Sequence, residues 1–93
     1  MKETLSLDSV VKISDDVVFR DLHGEAVLLD LKTSLYFGVD SIGARTWNLI
    51  KEHNSLQTVC DLLMKEYHVD EAQCTQDLLK FVSMLEEKRL IKV

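Results

Sequence analysis

Proline is absent from this chain of 93 residues, and glycine and cysteine are scarce, with three and two copies. The remaining composition, 46% hydrophobic and 29% charged, is typical of a compact soluble domain and gives no reason to expect disorder beyond the first several residues. Cys60 and Cys74 are most simply core side chains, because no Cys-x-x-Cys or His-x-x-x-His spacing accompanies them. We therefore expect no metal site and no cofactor.

Long apolar runs and an excess of basic residues are also missing. No stretch of about 18 apolar residues could span a bilayer, and residues 1–8 lack the apolar segment of a signal peptide. The formal charge of -5 opposes nucleic-acid binding, which draws much of its free energy from cationic groups that release counterions. The sequence therefore predicts a cytoplasmic protein that binds neither membranes nor nucleic acids and has basic or apolar partners.

The length predicts a single domain, with residues 1–9 as a flexible N-terminus and residues 10–93 as the folded unit. Short runs of β-branched and apolar residues predict four strands, the first of them an edge piece. These strands span residues 10–13, 17–20, 25–31 and 35–39. Turns are predicted at His23–Gly24 and at residues 32–34, so that the last three strands form an antiparallel sheet in sequence order.

The first of three predicted helices starts directly after the last strand, where Asp40 or Ser41 can cap it. Trp47 is expected on the flank of this helix. The residues predicted for its inner stripe are Ile42, Thr46, Leu49 and Ile50.

The second helix is predicted to begin at Asn54 or the residue after it, because Asn54 and Gln57 resemble a capping box, and to end near His68. The third helix is predicted to start after its cap, Asp70, and to run to about Lys88. The alternating residues that follow it predict a short extended piece. The fold class is therefore α+β: a three-stranded antiparallel sheet followed by three helices, in a winged-helix-like arrangement.

The last predicted strand has an exposed edge, because no full strand follows it in the sequence. Residues 35–39 contain no Lys, Glu or Pro, the residues that commonly discourage pairing at an edge. A peptide added there would gain main-chain hydrogen bonds, and its alternate side chains would enter pockets. These residues alone leave open whether a guest peptide, a neighbouring loop or a second copy covers the edge.

The third helix is apolar over a wider surface than one core contact requires. Phe81 and Met84 lie toward its side, flanked by Asp77 and Lys88, and could form one side of a groove beside the exposed strand. The alternative, favoured for Phe81 taken alone, is that both residues complete the core. The residues at the centre of the apolar stripe are Cys74, Leu78, Val82 and Leu85.

The order of residues from 29 to 47 resembles the signature of PqqD-like proteins, which are small peptide-binding modules known as RiPP recognition elements. The resemblance extends over nearly the whole chain, from the region of Val10 to Val93. One departure is Ser34, where relatives often have Gly, and it leaves the type of the hairpin turn open. The most specific parts of the resemblance are Leu29-Asp30, Thr33, Tyr36-Phe37, Gly43, Trp47 and residues 88–91.

The resemblance implies that the chain binds the leader segment of a ribosomally synthesised precursor peptide as an extra strand, between the third strand and the third helix. It also implies a maturation enzyme as partner, either a lasso-type leader peptidase and cyclase or a radical-SAM enzyme, with the lasso type slightly closer. The exposed strand would in addition permit a homodimer. The peptide-binding residues that the resemblance implies are Leu35, Tyr36, Phe37, Asp77, Phe81 and Met84.

Two other functions compete with this one. Catalysis is disfavoured, because the sequence contains no specific Ser-His-Asp or Cys-His grouping, phosphate-binding loop or paired-carboxylate motif. The stronger alternative is a winged-helix DNA-binding regulator, in which the second and third helices form a helix-turn-helix. Asp70, Glu71 and Asp77 argue against it, since they would face phosphates at the end of the helix that reads bases.

Overall fold

The computed structural model describes residues 5–22 and 25–93, so the predicted turn at His23–Gly24 lies outside the described residues. The described elements are β1 (Lys12–Ile13), β2 (Val17–Leu22), β3 (Glu25–Asp30), β4 (Tyr36–Val39), α1 (Ser41–His53), α2 (Leu56–Tyr67), α3 (Glu71–Glu87) and β5 (Ile91–Lys92). The predicted α+β fold, with a three-stranded antiparallel sheet and three helices, is confirmed.

The sheet has the strand order β2-β3-β4, so β4 lies at one of its edges. Its register aligns Phe19, Leu28 and Phe37 across the three strands and pairs Ala26 with Val39. Because cross-strand partners share a face of the sheet, these residues belong to the face on which α1 packs. Leu28, at the centre of this face, is fully buried.

The turn between β3 and β4 is held by hydrogen bonds from side chains within it. Asp30 Oδ1 accepts the Lys32 amide at 2.9 Å, and Thr33 Oγ1 accepts the Leu35 amide at 3.2 Å. Ser34 has a φ of 63°, in the left-handed region that favours glycine. A glycine at this position would adopt the same φ without strain.

Each helix begins at a residue whose side chain accepts the backbone N–H three positions later. These N-caps are Asp40, Ser55 and Asp70, with distances of 2.7, 3.4 and 2.8 Å. The predicted capping box of Asn54 with Gln57 is wrong, because Asn54 instead ends α1 in a left-handed conformation with a φ of 62°. The side chain of Gln57 bonds within α2.

The core residues of α1 differ from the predicted stripe because this helix packs on several sides, against β1, β3, β4 and α2. Trp47, predicted on the flank, is only 2% exposed and belongs to the core. Ile42, predicted to face inward, is 52% exposed, because it lies in the first turn of α1 beside an open cavity. Thr46, Leu49 and Ile50 are buried as predicted.

The two ends of the folded unit meet in a second pairing, in which β1 and β5 are antiparallel. The extended piece predicted after α3 is therefore confirmed as β5. The flexible N-terminus predicted for residues 1–9 remains a prediction, since residues 1–4 lie outside the described residues. Within the described part of this segment, Leu5 and Leu7 pack against the core.

Within the described ranges, none of the helices is both long enough and apolar enough to cross a bilayer. Over the same residues, no three His, Cys, Asp or Glu side chains are close enough together to hold a metal ion. Cys60 and Cys74 are free and buried, which confirms their prediction as core side chains.

Candidate functional site

Among the described residues, β4 has a partner strand on one edge only. The Leu35 carbonyl accepts the amide of the β3 residue Asp30 at 2.8 Å, so the register directs the inward backbone groups at this position toward β3. These groups alternate in direction along a strand, so those of Phe37 and Val39 also point toward β3. The N–H and C=O groups of Tyr36 and Gly38 therefore point outward, where an additional strand can pair with them.

The side chains of β4 divide between the two faces of the sheet. Phe37 and Val39 share the face of the buried Leu28 and are half-buried themselves. Tyr36 lies on the opposite face and is 72% exposed. Leu35 precedes the strand and is exposed in the turn. Phe37 thus presents its side chain on the helix side of the free edge, whereas Tyr36 presents backbone groups to that edge.

One side of α3 carries a stripe formed by Asp77, Phe81, Met84 and Lys88. At about 100° per residue these four positions fall within about 60° of one another around the helix. Phe81 and Met84 are half-buried and pack against the core, whereas Asp77 and Lys88 are exposed. Phe81 and Met84 therefore complete the core with one side and leave another side available.

This stripe approaches the free edge at two points. Nζ of Lys88 lies 4.8 Å from the centre of the Phe37 ring, a cation–π contact. Near the end of β4, a Cβ placed on Gly43 would lie 3.3 Å from Cβ of Val39 and 3.4 Å from Cε1 of Phe81. From Phe81 to Lys88, α3 therefore runs from the Val39 end of β4 toward Phe37. The helix and the strand are antiparallel.

We call the space between β4 and the stripe of Asp77, Phe81, Met84 and Lys88 the edge groove. Beside its Asp77 end lies a cavity of about 280 Å³, between the start of α1, the end of α2 and the first half of α3. The residues that line it include Asp40, Ile42, Tyr67, Val69, Asp77 and Phe81. Gly43 also lines the cavity, and a larger residue there would be crowded by Oδ1 of Asp40 at 3.2 Å and by Cβ of Val39.

The predicted site residues are placed as follows. Asp77, Phe81 and Met84 line the helix side of the edge groove, and Phe37 lies across from them on β4. Tyr36 contributes its backbone, and Leu35 lies just before the strand. The sequence analysis did not select four residues that border the groove or the cavity, namely Val39, Ile42, Tyr67 and Val69.

These omissions have a common cause, since the four residues come from the ends of different elements that only the tertiary fold brings together. The one usable signal in the sequence was the pair of apolar residues Tyr67 and Val69 on either side of a helix end. Each is 39% exposed, more than a core position would be.

The opposite edge of the sheet, formed by β2, also lacks a partner strand within the described ranges. The Leu31 amide donates to the Asp16 carbonyl at 2.8 Å, so the register directs the backbone groups of Asp21 away from β3. This edge carries the charged residues Arg20 and Asp21, which discourage pairing. It provides an internal comparison for the edge of β4.

The fold and the edge groove define a small α+β module whose sheet has a free edge that can pair with an added strand. The chain belongs to the PqqD family, because the family model described as coenzyme PQQ synthesis protein D matches residues 25–91. No curated protein matches the sequence.

Two solved structures share this fold. TbiB1 in complex with the TbiA(beta) leader peptide is 40% identical, and the match covers 87% of this chain and 94% of that chain with a TM-score of 0.80. Lasso peptide synthetase B1 complexed with the leader peptide is 19% identical, and the match covers 91% and 100% with a TM-score of 0.81. At that identity the second structure supports the fold alone.

Proposed function

We propose that the chain binds the leader segment of a ribosomally synthesised precursor peptide and presents it to a maturation enzyme. The leader forms an additional strand on β4, within the edge groove. The observation that carries this proposal is the juxtaposition of the outward backbone groups of Tyr36 and Gly38 with the partly exposed Phe81 and Met84. The complex of the 40% identical TbiB1 with a leader peptide supports the same function.

The edge groove offers both elements of strand-addition binding. Backbone groups of β4 supply affinity that is independent of the guest's sequence, and side chains along the groove supply selectivity. The thioether of Met84 adapts to varied apolar side chains, and Phe37 and Phe81 offer aromatic surface. The cavity of about 280 Å³ is slightly smaller than typical small-molecule sites, which suits individual side chains of a peptide.

Presentation of a peptide requires no chemistry from the module itself, and we propose that this chain is not an enzyme. Holding the leader near an enzyme raises the local concentration of the core peptide that follows it. Modest affinity is sufficient for this role and allows the product to leave. A lasso-type leader peptidase is the favoured partner, because the sequence resemblance is slightly closer to the lasso type, and the complex of the 40% identical TbiB1 with a leader peptide supports a role in leader recognition.

The test is a calorimetric titration with the synthetic TbiA(beta) leader peptide, which the 40% identical TbiB1 binds, and with a scrambled peptide of equal composition. We expect binding of the leader alone. Phe81→Asp and Met84→Asp should weaken binding at least tenfold, because a buried carboxylate in the groove is poorly solvated. Ser83→Asp adds the same charge to an exposed position of α3 and should leave affinity unchanged.

Circular dichroism of each variant checks that the fold is retained, and Phe81→Ala serves as a milder variant if Phe81→Asp unfolds. Equal binding of leader and scrambled peptides, or unchanged affinity of the folded groove variants, would show that the groove is not the binding site. Light scattering in the same samples distinguishes peptide capture from a homodimer through β4, which would appear as a concentration-dependent mass.

A further inference from the structure

We infer that the edge groove is directional: it binds an extended guest in one orientation, with a basic guest residue at the Asp77 end and an acidic one at the Lys88 end. This inference rests on the proposed function and adds a charge order to the peptide. Strand addition alone does not fix direction, because the outward groups of β4 can pair with a parallel or an antiparallel strand.

The end of the groove at the cavity is acidic. Asp77 is exposed and accepts a hydrogen bond from Nε2 of Gln73 at 2.9 Å, which is a neutral donor. Asp40 lines the same cavity and accepts the Gly43 amide at 2.7 Å. Neither carboxylate makes a salt bridge with a described residue, although Lys80 lies on the next turn of α3 from Asp77. A basic guest side chain would supply the missing countercharge.

The other end of the groove is basic. Lys88 follows the last residue of α3, where the helix dipole favours a cation. Its ammonium group rests over the Phe37 ring and, within the described ranges, makes no salt bridge. The contact with Phe37 holds this charge at the margin of β4, where an acidic side chain of a paired strand would reach it.

The distance between the two ends defines the spacing of the guest charges. Asp77 and Lys88 are separated by about 16 Å along the helix axis, at about 1.5 Å per residue. An extended guest covers this distance in about five residues, at about 3.3 Å each. The guest recognised best therefore carries a basic and an acidic residue about five positions apart, in one order only.

The test uses two sets of synthetic peptides built on the TbiA(beta) leader peptide. In one set a Lys precedes a Glu by about five residues, and in the other set the Glu precedes the Lys by the same distance. The unmodified chain should bind one order about three- to fivefold more tightly, the range expected of partly exposed ion pairs. The doubly exchanged chain, Asp77→Lys with Lys88→Glu, should prefer the opposite order.

Three controls separate direction from other effects. Lys88→Gln should reduce the preference without reversing it, whereas a purely structural role of Lys88 would weaken both peptide orders alike. Lys51→Glu changes the net charge at the far end of α1 and should leave the preference intact. Added salt should diminish the preference, because it screens exposed charges.

Equal affinity for both peptide orders in both chains would overturn directionality while leaving peptide binding established. Failure of every peptide to bind would instead contradict the proposed function itself. The preferred order, read from the N-terminus of the peptide, also reports whether the guest runs parallel or antiparallel to β4.

Discussion

Substitution of Tyr36 by Pro would remove a single outward N–H donor from β4 and leave the hydrogen bonds to β3 intact. A strand-to-strand hydrogen bond contributes about 0.5–1.5 kcal/mol, and a guest carbonyl left unpaired costs about 1–3 kcal/mol. We therefore expect Tyr36→Pro to weaken leader binding by about 1–3 kcal/mol, which corresponds to about 5- to 150-fold in Kd.

Calorimetry measures this change, and matched variants isolate its cause. Tyr36→Ala keeps the N–H and removes only a side chain that faces the other side of the sheet, so its affinity should stay near that of the unmodified chain. Asp21→Pro removes an outward donor from the opposite edge, on β2, and should also bind normally. Gly38→Pro repeats the test at the second outward donor, with Gly38→Ala as its control, since the added Cβ meets nothing within 4 Å.

Thermal unfolding of each variant confirms that the sheet is retained. If a folded Tyr36→Pro and a folded Gly38→Pro both bind the leader as tightly as the unmodified chain, the guest does not pair with β4. The peptide-binding site would then have to lie elsewhere on the molecule.

Two further predictions concern stability. Asp30→Ala removes the acceptor of the Lys32 amide and should lower the free energy of unfolding by about 0.5–1.5 kcal/mol, or several degrees in Tm. Asp30→Asn keeps an acceptor and should melt near the unmodified chain. Equal Tm values of the two variants would contradict this role of Asp30. The hydrogen bonds from Arg45, at 2.8 and 2.9 Å, hold the pKa of Glu66 below its ordinary value of 4.5, so their contribution is present above that pH and is lost as the pH falls through the lowered value. The small Tm advantage over Glu66→Gln should accordingly disappear in acid, and an advantage that persists there would refute the linkage.

The order of strands and helices could be predicted because periodicity and turn residues are local properties of the sequence. The free edge of β4 was predictable as well, since no full strand follows it. The burial of Trp47 was not, because a periodic stripe identifies one inward face and α1 packs on several sides. The contact between Lys88 and Phe37 was also beyond prediction, since it depends on how α3 lies relative to the sheet.

Residues in the candidate site were predictable to different degrees, because some depend on local sequence patterns and others on tertiary packing. Phe81 and Met84 stood out as apolar residues beyond the core stripe of a single helix. The direction of the Tyr36 backbone depends on the strand register, which the sequence alone did not fix. Ile42 looked like a core residue because its spacing is helical, and only the packing of three helix ends shows that it borders a cavity.

Cys74 is one of the residues that line the cavity, where a guest side chain would rest. Burial, followed by a hydrogen bond with Cys60, raises the pKa of the Cys74 thiol to about 12. Relative to a cysteine of ordinary pKa, the reactive thiolate is therefore about a thousandfold rarer at neutral pH. The Cys74 thiol is thus a weak nucleophile, so a peptide side chain held in the cavity would not react with it before the enzyme acts on the peptide.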